Sequence, residues 1–195
     1  MKLIYFIGNQ GSGKTTQSEN LVQNHGFKRI SLAQPIRRIL CHIMATYSDS
    51  MDADMIYVKY FTEPRYSHYK TNPVELDRLT MLGTRKALEG LGEGAREEIG
   101  EQVWVQAAQQ YINTLIAEDP DVKLVTDDTR RPFEERAMKG FGGFGVFLNK
   151  PGSDQPGIAT EECQMYVESH QMFPDIQANF DMGIKKTTKL VESIL

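Results

Sequence analysis

The residues best suited to chemistry lie in one short segment near the start of the chain. In order they are Gly8, Asn9, Gln10, Gly11, Ser12, Gly13, Lys14, Thr15 and Thr16. The segment fits the pattern G-x-x-x-x-G-K-[ST], whose glycines let backbone N–H groups approach phosphate oxygens. The lysine reaches the outer phosphates, and the first threonine hydroxyl holds Mg²⁺. The pattern therefore predicts a nucleoside triphosphate site.

The elements on both sides of this segment agree with that prediction. Residues 3–7 are a continuous apolar run, which is typical of a strand buried on both faces of a parallel sheet. Residues 13–25 read as a helix, with Leu21 and Val22 expected on its inner face. The positive end of that helix would face the same phosphates. A glycine-rich turn with a stray lysine is the alternative, and both neighbouring elements count against it.

A second apolar run ends in Asp127 and Asp128, and Arg130 and Arg131 follow. In open α/β sheets, ligands bind outside the carboxyl ends of the strands, where these carboxylates would lie. One aspartate beside the phosphate loop is expected to hold Mg²⁺ through water. Two guanidinium groups just beyond the strand suit neutralisation of phosphate charge, because their planar fork binds two oxygens at once.

Other polar groups are candidates for the rest of a substrate site. Arg37 and Arg38 fall in the first turn of a helix predicted over residues 35–47, where the helix dipole disfavours cations. An anionic partner or a solvated basic pair would explain them. Residues 48–73 are polar and rich in tyrosine, which indicates an irregular segment that covers a base or packs on the surface.

The remaining patterns complete a coarse secondary-structure prediction. Strands are expected over residues 27–33, from 123, over 144–149 and over 180–184, and helices over 73–91, 103–117, 132–140, 160–170 and 186–195. Gly90, Gly92 and Gly94 are expected to break the helix over residues 73–91. Strands that alternate with helices predict a parallel, three-layered α/β sheet with right-handed crossovers.

The bulk composition limits the class of protein. The chain has 195 residues, 40% of them hydrophobic, which is enough for one compact core. A net charge of −4 argues against a general nucleic-acid binder. The two cysteines, Cys41 and Cys163, suggest neither a disulfide framework nor a zinc site. No apolar stretch approaches the ~20 residues that a membrane span needs, so we expect a soluble, cytoplasmic protein without a membrane partner.

Three further stretches carry a resemblance to a known family. Residues 30–40 are similar to a segment sF-A-D-P-l-K-r, residues 91–105 to L-G-T-E-x-G-R … D-x-W-V, and residues 128–143 to D-V-R-F-P-N-E … G-G. In this order they resemble the phage deoxynucleoside monophosphate kinases, within the nucleoside-monophosphate-kinase group of P-loop proteins. The match covers most of the chain, whereas the phosphate loop is common to the whole superfamily.

The resemblance implies a fold, a reaction and an assembly. The fold would be a three-layer P-loop NTPase with a roughly five-stranded parallel sheet flanked by helices. One kinase domain would span residues 1–195, with residues 48–100 inserted to bind the acceptor and cover the site. ATP with Mg²⁺ would phosphorylate the 5′-phosphate of a small-molecule deoxynucleoside monophosphate to give the diphosphate. A homodimer, in the host cytoplasm if the protein is phage-encoded, is a further expectation.

The resemblance also implies a role for individual residues. Lys14 and the loop N–H groups would act on the transferring phosphoryl group, and Thr15 with Asp128 would hold Mg²⁺. Arg130 and Arg131 would neutralise charge between donor and acceptor. The residues expected to bind the acceptor are Arg37, Arg38, Arg96 and Trp104. A packing or hinge role is the alternative for the single tryptophan.

Departures from the family pattern leave the substrate open. Gln34 stands where the family usually has aspartate, and Phe133 where it has asparagine. A kinase similar to dephospho-coenzyme A kinase and a kinase of a modified base in phage DNA are alternatives. The acidic balance counts against the DNA substrate, since duplex binding depends on lysine and arginine. The non-enzymatic alternative is a nucleotide-binding switch that transfers no phosphoryl group. ATP consumption that depends on an added acceptor would distinguish a kinase from such a switch.

Overall fold

A computed structural model describes most of the chain. The described residues are 1–8, 12–58, 61, 75–149, 176–179, 188–189, 191–193 and 195. The elements in chain order are β1 (Lys2–Ile7), α1 (Lys14–His25), β2 (Lys28–Arg29), α2 (Gln34–Ala45), α3 (Ala53–Tyr57), α4 (Glu75–Ile99), α5 (Val103–Glu118), β3 (Lys123–Thr126), α6 (Pro132–Gly140), β4 (Phe144–Asn149) and β5 (Ile176–Asn179). Among the helices of these residues, none has both the length and the apolar character needed to cross a membrane.

The chain divides into two compact units. The sheet unit comprises Met1–Leu32 and Gln109–Leu195, and the helical unit comprises Ala33–Ala108. In the sheet unit the strands lie in the order β2–β3–β1–β4–β5, and neighbouring strands run parallel. Parallel strands of one sheet need crossover connections; α1 lies in the connection from β1 to β2, and α6 in the connection from β3 to β4. The predicted α/β class, a parallel sheet flanked by helices, is confirmed.

The central strand β1 explains why the first apolar run is unbroken. Each of its residues from Leu3 to Ile7 is at most 1% exposed, because strands pair with β1 at both edges and helices pack on its faces. The surrounding core cluster consists of Ile4, Phe6, Leu21, Phe27, Val125, Val146, Leu148 and Val191. Leu21 is therefore inward as predicted. The prediction for Val22 is wrong, because one helical step turns it away from the core and leaves it 37% exposed.

The second strand is shorter than the sequence predicts. Only Lys28–Arg29 is strand, although residues 27–33 were expected to continue it. Ile30 still donates its N–H to the carbonyl of Val125 at 2.9 Å. Two residues later, the N–H of Leu32 donates to the side chain of Asp128 instead of to the ladder. A side-chain acceptor at the end of β3 thus replaces the next backbone pairing.

Several other bounds agree closely with the patterns that predicted them. Helix α6 and strand β4 have the predicted limits, and α1, α2 and α5 begin and end within two residues of theirs. Strand β5 precedes the strand expected over residues 180–184, which lie outside the described residues. The helix expected over residues 160–170 lies outside them too. Residues 188–189 and 191–192 are helical, within the last predicted helix.

In the helical unit, one long helix overrides the predicted break. Helix α4 runs from Glu75 to Ile99 through all three glycines that were expected to end it. Each glycine costs about 1 kcal/mol relative to alanine, so packing within the unit must compensate. Gly92 is buried, its carbonyl accepts a hydrogen bond from Trp104 Nε1 at 2.9 Å, and a Cβ there would lie 3.5 Å from Ile36. The helix ends before Gly100, whose φ of 135° is incompatible with a helix.

Candidate active site

The loop after β1 can be formed only with glycine at its first position. Gly8 has a φ of 146°, and a Cβ added there would lie 2.2 Å from the carbonyl oxygen of Leu148 and 2.8 Å from Ser12 Oγ. The next three loop residues, Asn9, Gln10 and Gly11, lie outside the described residues. The chain continues with Ser12, which is 1% exposed, and with Gly13. Both described glycines of the motif are therefore placed at a sharp turn out of the sheet.

Helix α1 begins immediately after that turn. Gly13 precedes it in the left-handed region, with a φ of 92°. Its first turn contains no acidic residue, and within the described residues no side-chain hydrogen bond caps this end. The helix dipole and its first N–H groups favour an anion at such a terminus. This end of α1 thus has the electrostatic character that the phosphate-binding motif requires.

Lys14 lies over the same loop. Its Nζ donates a hydrogen bond to the carbonyl oxygen of Gly8 at 2.5 Å, and the side chain is half-buried. Thr15 is half-buried too, whereas Thr16 is exposed. The ammonium group and the first N–H groups of α1 therefore belong to one short stretch of chain. Positive charge is concentrated where the loop leaves the sheet.

The aspartates of the second motif leave the sheet at the same edge as this loop. Strand β1 pairs with β3 in parallel, up to Tyr5 opposite Thr126. Gly8 follows three residues after Tyr5, and Asp128 two residues after Thr126. Carboxyl ends of parallel strands share one edge of a sheet, which is where ligands bind in open α/β folds. The topology thus brings the two motifs to neighbouring strand ends.

The two aspartates at this edge have different surroundings. Asp127 is 8% exposed and forms a two-pronged ion pair with Arg29, at 3.2 Å from Nε and 2.5 Å from Nη2. This pair joins the ends of β2 and β3. A buried carboxylate with its own cation is stabilised in place and has little freedom to bind a ligand. Asp127 therefore has a structural role, which is to connect the ends of β2 and β3.

Asp128 is half-buried and anchors the chain around it. Its carboxylate accepts hydrogen bonds from Ser31 Oγ at 2.5 Å, from the N–H of Leu32 at 3.1 Å and from Thr126 Oγ1 at 2.7 Å. These donors hold the carboxylate in one orientation. Carboxylate and hydroxyl oxygens are ligands that Mg²⁺ accepts, so Asp128 and Thr15 fit that ion chemically. Among the described residues, no group of three or more histidine, cysteine, aspartate or glutamate side chains is placed to hold a metal ion.

The backbone of the two arginines after Asp128 is held by a residue that the sequence analysis did not select. Glu134 Oε2 accepts hydrogen bonds from the N–H of Arg130 at 2.6 Å and from the N–H of Arg131 at 3.0 Å. Glu134 is the third residue of α6 and is 6% exposed. Its position is the signal that was missed, because a glutamate there often bonds back to the residue before the helix.

A second buried glutamate, Glu135, connects α6 to the central strand β1. Tyr5 Oη donates to Glu135 Oε1 at 2.9 Å, and Lys139 Nζ lies 3.5 Å from the same oxygen. Gly143 and Gly145 make room for the tyrosine ring, since a Cβ at Gly145 would lie 2.7 Å from Tyr5 Oη. The helix that follows the arginines is thereby fixed to the central strand.

In the helical unit, the predicted acceptor residues contact other residues of that unit. Arg38 forms an ion pair with Asp54, and its Cζ lies 4.1 Å from the ring centre of Tyr57. Arg37 Cζ lies 5.9 Å from the ring centre of Phe61. These contacts tie α2 to the short α3 and the residues after it. The side chain of Arg38 is 45% exposed, so part of its guanidinium faces solvent.

The other two predicted acceptor residues are also engaged within the helical unit. Arg96 Nη1 lies 2.8 Å from Glu93 Oε1, one turn earlier in α4, and the arginine side chain is 16% exposed. Trp104 is 8% exposed, and its indole N–H donates to the carbonyl of Gly92. These contacts are those of a packing anchor between α4 and α5, which was the alternative interpretation of the tryptophan.

Comparisons with known proteins give one informative similarity. The chain is 26% identical over 170 residues to an Acanthamoeba polyphaga mimivirus protein described as a "Putative deoxynucleotide monophosphate kinase", covering 83% of this chain and 78% of that protein. No family model matches. Among solved structures, an unliganded sugar kinase from Janibacter sp. HTCC2649 aligns with a TM-score of 0.47 at 10% identity, over 99% of this chain and 93% of that one. The latter values are too low to establish a shared fold or function.

Proposed function

We propose that this protein is a kinase that transfers the γ-phosphoryl group of ATP to the 5′-phosphate of a deoxynucleoside monophosphate. The observation that carries the proposal is the strand edge where Gly8, Lys14 and the start of α1 follow β1, beside the end of β3 with Asp128 and Arg130. Enzymes that transfer phosphoryl groups combine a P-loop with a carboxylate and guanidinium groups. The similarity to the mimivirus protein supports the choice of substrate class.

On the donor side, the chain's own groups would bind and orient ATP. The N–H groups of the motif would bind the phosphates, and Lys14 would exchange its hydrogen bond to the Gly8 carbonyl for phosphate oxygens. Thr15 directly, and Asp128 through water, would hold Mg²⁺. When bound, that ion neutralises charge on the β- and γ-phosphates. The hydrogen bonds that Asp128 accepts hold it in one orientation for this role.

The transfer itself needs little acid–base chemistry from the protein. The attacking group is a phosphate oxygen that already carries negative charge, so positioning and charge neutralisation lower the barrier. Arg130, which is exposed and lies four residues after the end of β3, and its neighbour Arg131 are proposed to neutralise charge between donor and acceptor. Their planar guanidinium groups can bind two oxygens of a phosphoryl group at once.

On the acceptor side, the proposal assigns Arg37, Arg38 and Arg96 to the monophosphate and Trp104 to the same region. A guanidinium group has five N–H donors, so an ion pair with one carboxylate leaves donors for a phosphate. Residues 48–100 are proposed to bind the acceptor and exclude water, because an open site would hydrolyse ATP. Residues 59–60 and 62–74 of this region, with most of its tyrosines, lie outside the described residues.

The test is ATP turnover with Mg²⁺ against a panel of acceptors. The panel contains the common and 5-substituted deoxynucleoside monophosphates, their ribose counterparts, dephospho-coenzyme A and modified DNA. We expect turnover with one or a few deoxynucleoside monophosphates and none after Mg²⁺ is chelated. ATP binding without acceptor-dependent turnover would contradict the proposal and favour a nucleotide-binding switch. Turnover confined to dephospho-coenzyme A or DNA would contradict the substrate class.

A further inference from the structure

The two arginines proposed to neutralise charge have a backbone that is held by one buried carboxylate. Glu134 Oε2 accepts the N–H of Arg130 at 2.6 Å and the N–H of Arg131 at 3.0 Å. A single oxygen thus fixes two successive peptide groups. The direction in which a side chain leaves the backbone, and the rotamers open to it, depend on φ and ψ of its own residue. By fixing the backbone, this oxygen constrains where both arginine side chains can point.

The local sequence requires such an acceptor. Arg131 precedes α6 with extended backbone, φ −119° and ψ 150°, and its N–H therefore lies outside the helical ladder. Pro132 follows as the first helical residue and has no N–H of its own. A glutamate at the third helical position reaches back to these N–H groups and is also favoured by the helix dipole. The buried Glu134 carboxyl group thereby has two backbone donors.

The neighbouring glutamate shows that Glu134 has a distinct task. Glu135 is 2% exposed, lies on the same turn of α6 and carries the same charge. Its carboxylate contacts Tyr5 and Lys139. One glutamate therefore attaches α6 to the central strand, and the other shapes the segment that carries the two arginines.

We propose that Glu134 is a positioning residue for phosphoryl transfer, acting through the backbone of Arg130 and Arg131. The inference rests on the proposed function, since it presumes that the guanidinium groups meet phosphate. Without the Glu134 acceptor, the two peptide groups turn to find other partners, and the guanidinium groups move with them. A displacement of about 1 Å in a positioning group can lower a rate about 100-fold.

The kinetic test compares Glu134→Leu with Glu135→Leu, which removes an equally buried carboxylate one residue away. We expect Glu134→Leu to lower kcat about 10- to 100-fold while KM for ATP changes less than about twofold. Glu135→Leu should lower the melting temperature but keep kcat when assayed below it. Equal losses of kcat in the two variants would overturn the proposal, because the effect would then reflect general destabilisation of α6.

Conservative substitution and a double-mutant cycle separate positioning from a structural role. Glu134→Gln keeps an acceptor oxygen, so it should retain most of the kcat that Glu134→Leu loses. In an Arg130→Ala background, Glu134→Leu should lower kcat by a smaller factor than in the unsubstituted protein, since one of the two groups that it positions is gone. Full additivity of the two losses, or no recovery with glutamine, would contradict action through Arg130.

Amide hydrogen exchange tests the positioning without relying on activity. In Glu134→Leu, we expect the N–H groups of Arg130 and Arg131 to exchange faster than in the unsubstituted protein, and the increase should be smaller in Glu134→Gln. The N–H groups of β3 should stay protected in both variants. Unchanged exchange of both arginine N–H groups in folded Glu134→Leu would overturn the proposal. If the unsubstituted protein turns over no acceptor, the proposed function fails, and the exchange result alone then decides whether Glu134 holds this segment.

Discussion

The arginines proposed to contact phosphate differ between the two units in how they are held. In the sheet unit, Arg130 is exposed, and its guanidinium group has no acidic partner among the described residues. In the helical unit, Arg38 and Arg96 each form an ion pair with an acidic residue, Asp54 and Glu93 respectively. Arg130 is therefore held by a hydrogen bond from its backbone N–H, whereas Arg38 and Arg96 are held by ion pairs of their guanidinium groups.

The difference indicates where positive charge is available for a substrate. A guanidinium group that already faces a carboxylate attracts a phosphate less strongly, because the carboxylate cancels much of its field. A guanidinium group fixed only from the backbone keeps its full charge for a ligand. We therefore expect Arg130 to dominate the transition state and the helical-unit arginines to contribute more to structure and to binding of the acceptor.

Among the arginine substitutions, Arg130→Ala should have the largest effect on turnover. We expect kcat to fall about 1,000-fold, the order found for arginines that act on a transferring phosphoryl group, with KM for ATP nearly unchanged. Arg38→Ala and Arg96→Ala should instead act mainly on KM for the acceptor. Steady-state kinetics on the three folded variants make the comparison. A loss of kcat at Arg38 as large as that at Arg130 would contradict the distinction between the two units.

Glycine substitutions should affect the two units in opposite directions. Gly8→Ala should lower the free energy of unfolding by about 3 kcal/mol, because its φ of 146° is strained for alanine and the Cβ collides with the Leu148 carbonyl. Gly94→Ala in α4 should raise it by about 0.5–1 kcal/mol, since a Cβ there has no atom within 4 Å. Denaturant unfolding measures both. Equal destabilisation would show that α4 needs its glycines as the loop does.

Removing one hydroxyl tests how firmly α6 is attached to β1. Tyr5→Phe should lower the free energy of unfolding by about 1–3 kcal/mol, because it deprives the buried Glu135 carboxylate of a donor. Thermal and denaturant unfolding measure the change, and Tyr111→Phe at an exposed tyrosine is the matched control. A stability loss no greater than that of the control would mean that Glu135 is satisfied without the tyrosine.

The smallest expected effect comes from the exposed ion pair of the helical unit. Asp54→Asn should lower the free energy of unfolding by less than about 1 kcal/mol, because Asp54 and Arg38 are 84% and 45% exposed in their side chains. High salt should have a similarly small effect. An increase in turnover for Asp54→Asn at low acceptor concentration would show that the aspartate competes with substrate for Arg38. A stability loss of several kcal/mol would show that the pair is more than a surface contact.

Features that depend on local pattern were predictable from the sequence. The unbroken apolar run of β1, the start of α1 after Gly13 and the Pro132 start of α6 each have a local physical cause, and the structure places these elements where the patterns indicate. The carboxyl-edge position of Asp128 followed from the same reasoning, since it depends only on a strand that ends before it. The roles of the individual residues stay predictions.

Features that depend on contacts between distant residues were not predictable. The three glycines of α4 lower its local helix propensity, and only packing such as the bond from Trp104 to Gly92 explains why the helix continues. The short β2 reflects a hydrogen bond from the Leu32 N–H to Asp128, which is 96 residues away.

Glu134, in contrast, had a recognisable local signal, because it is the third residue of a helix that begins with proline.

The most direct test of the account follows the γ-phosphoryl group itself. ATP labelled at its γ-phosphate is mixed with Mg²⁺, the protein and a deoxynucleoside monophosphate, and the products are separated. We predict that the label appears in the deoxynucleoside diphosphate in step with ADP, and that Lys14→Ala abolishes the transfer without unfolding the protein. Label released only as inorganic phosphate, at a rate independent of the acceptor, would contradict the proposed kinase activity.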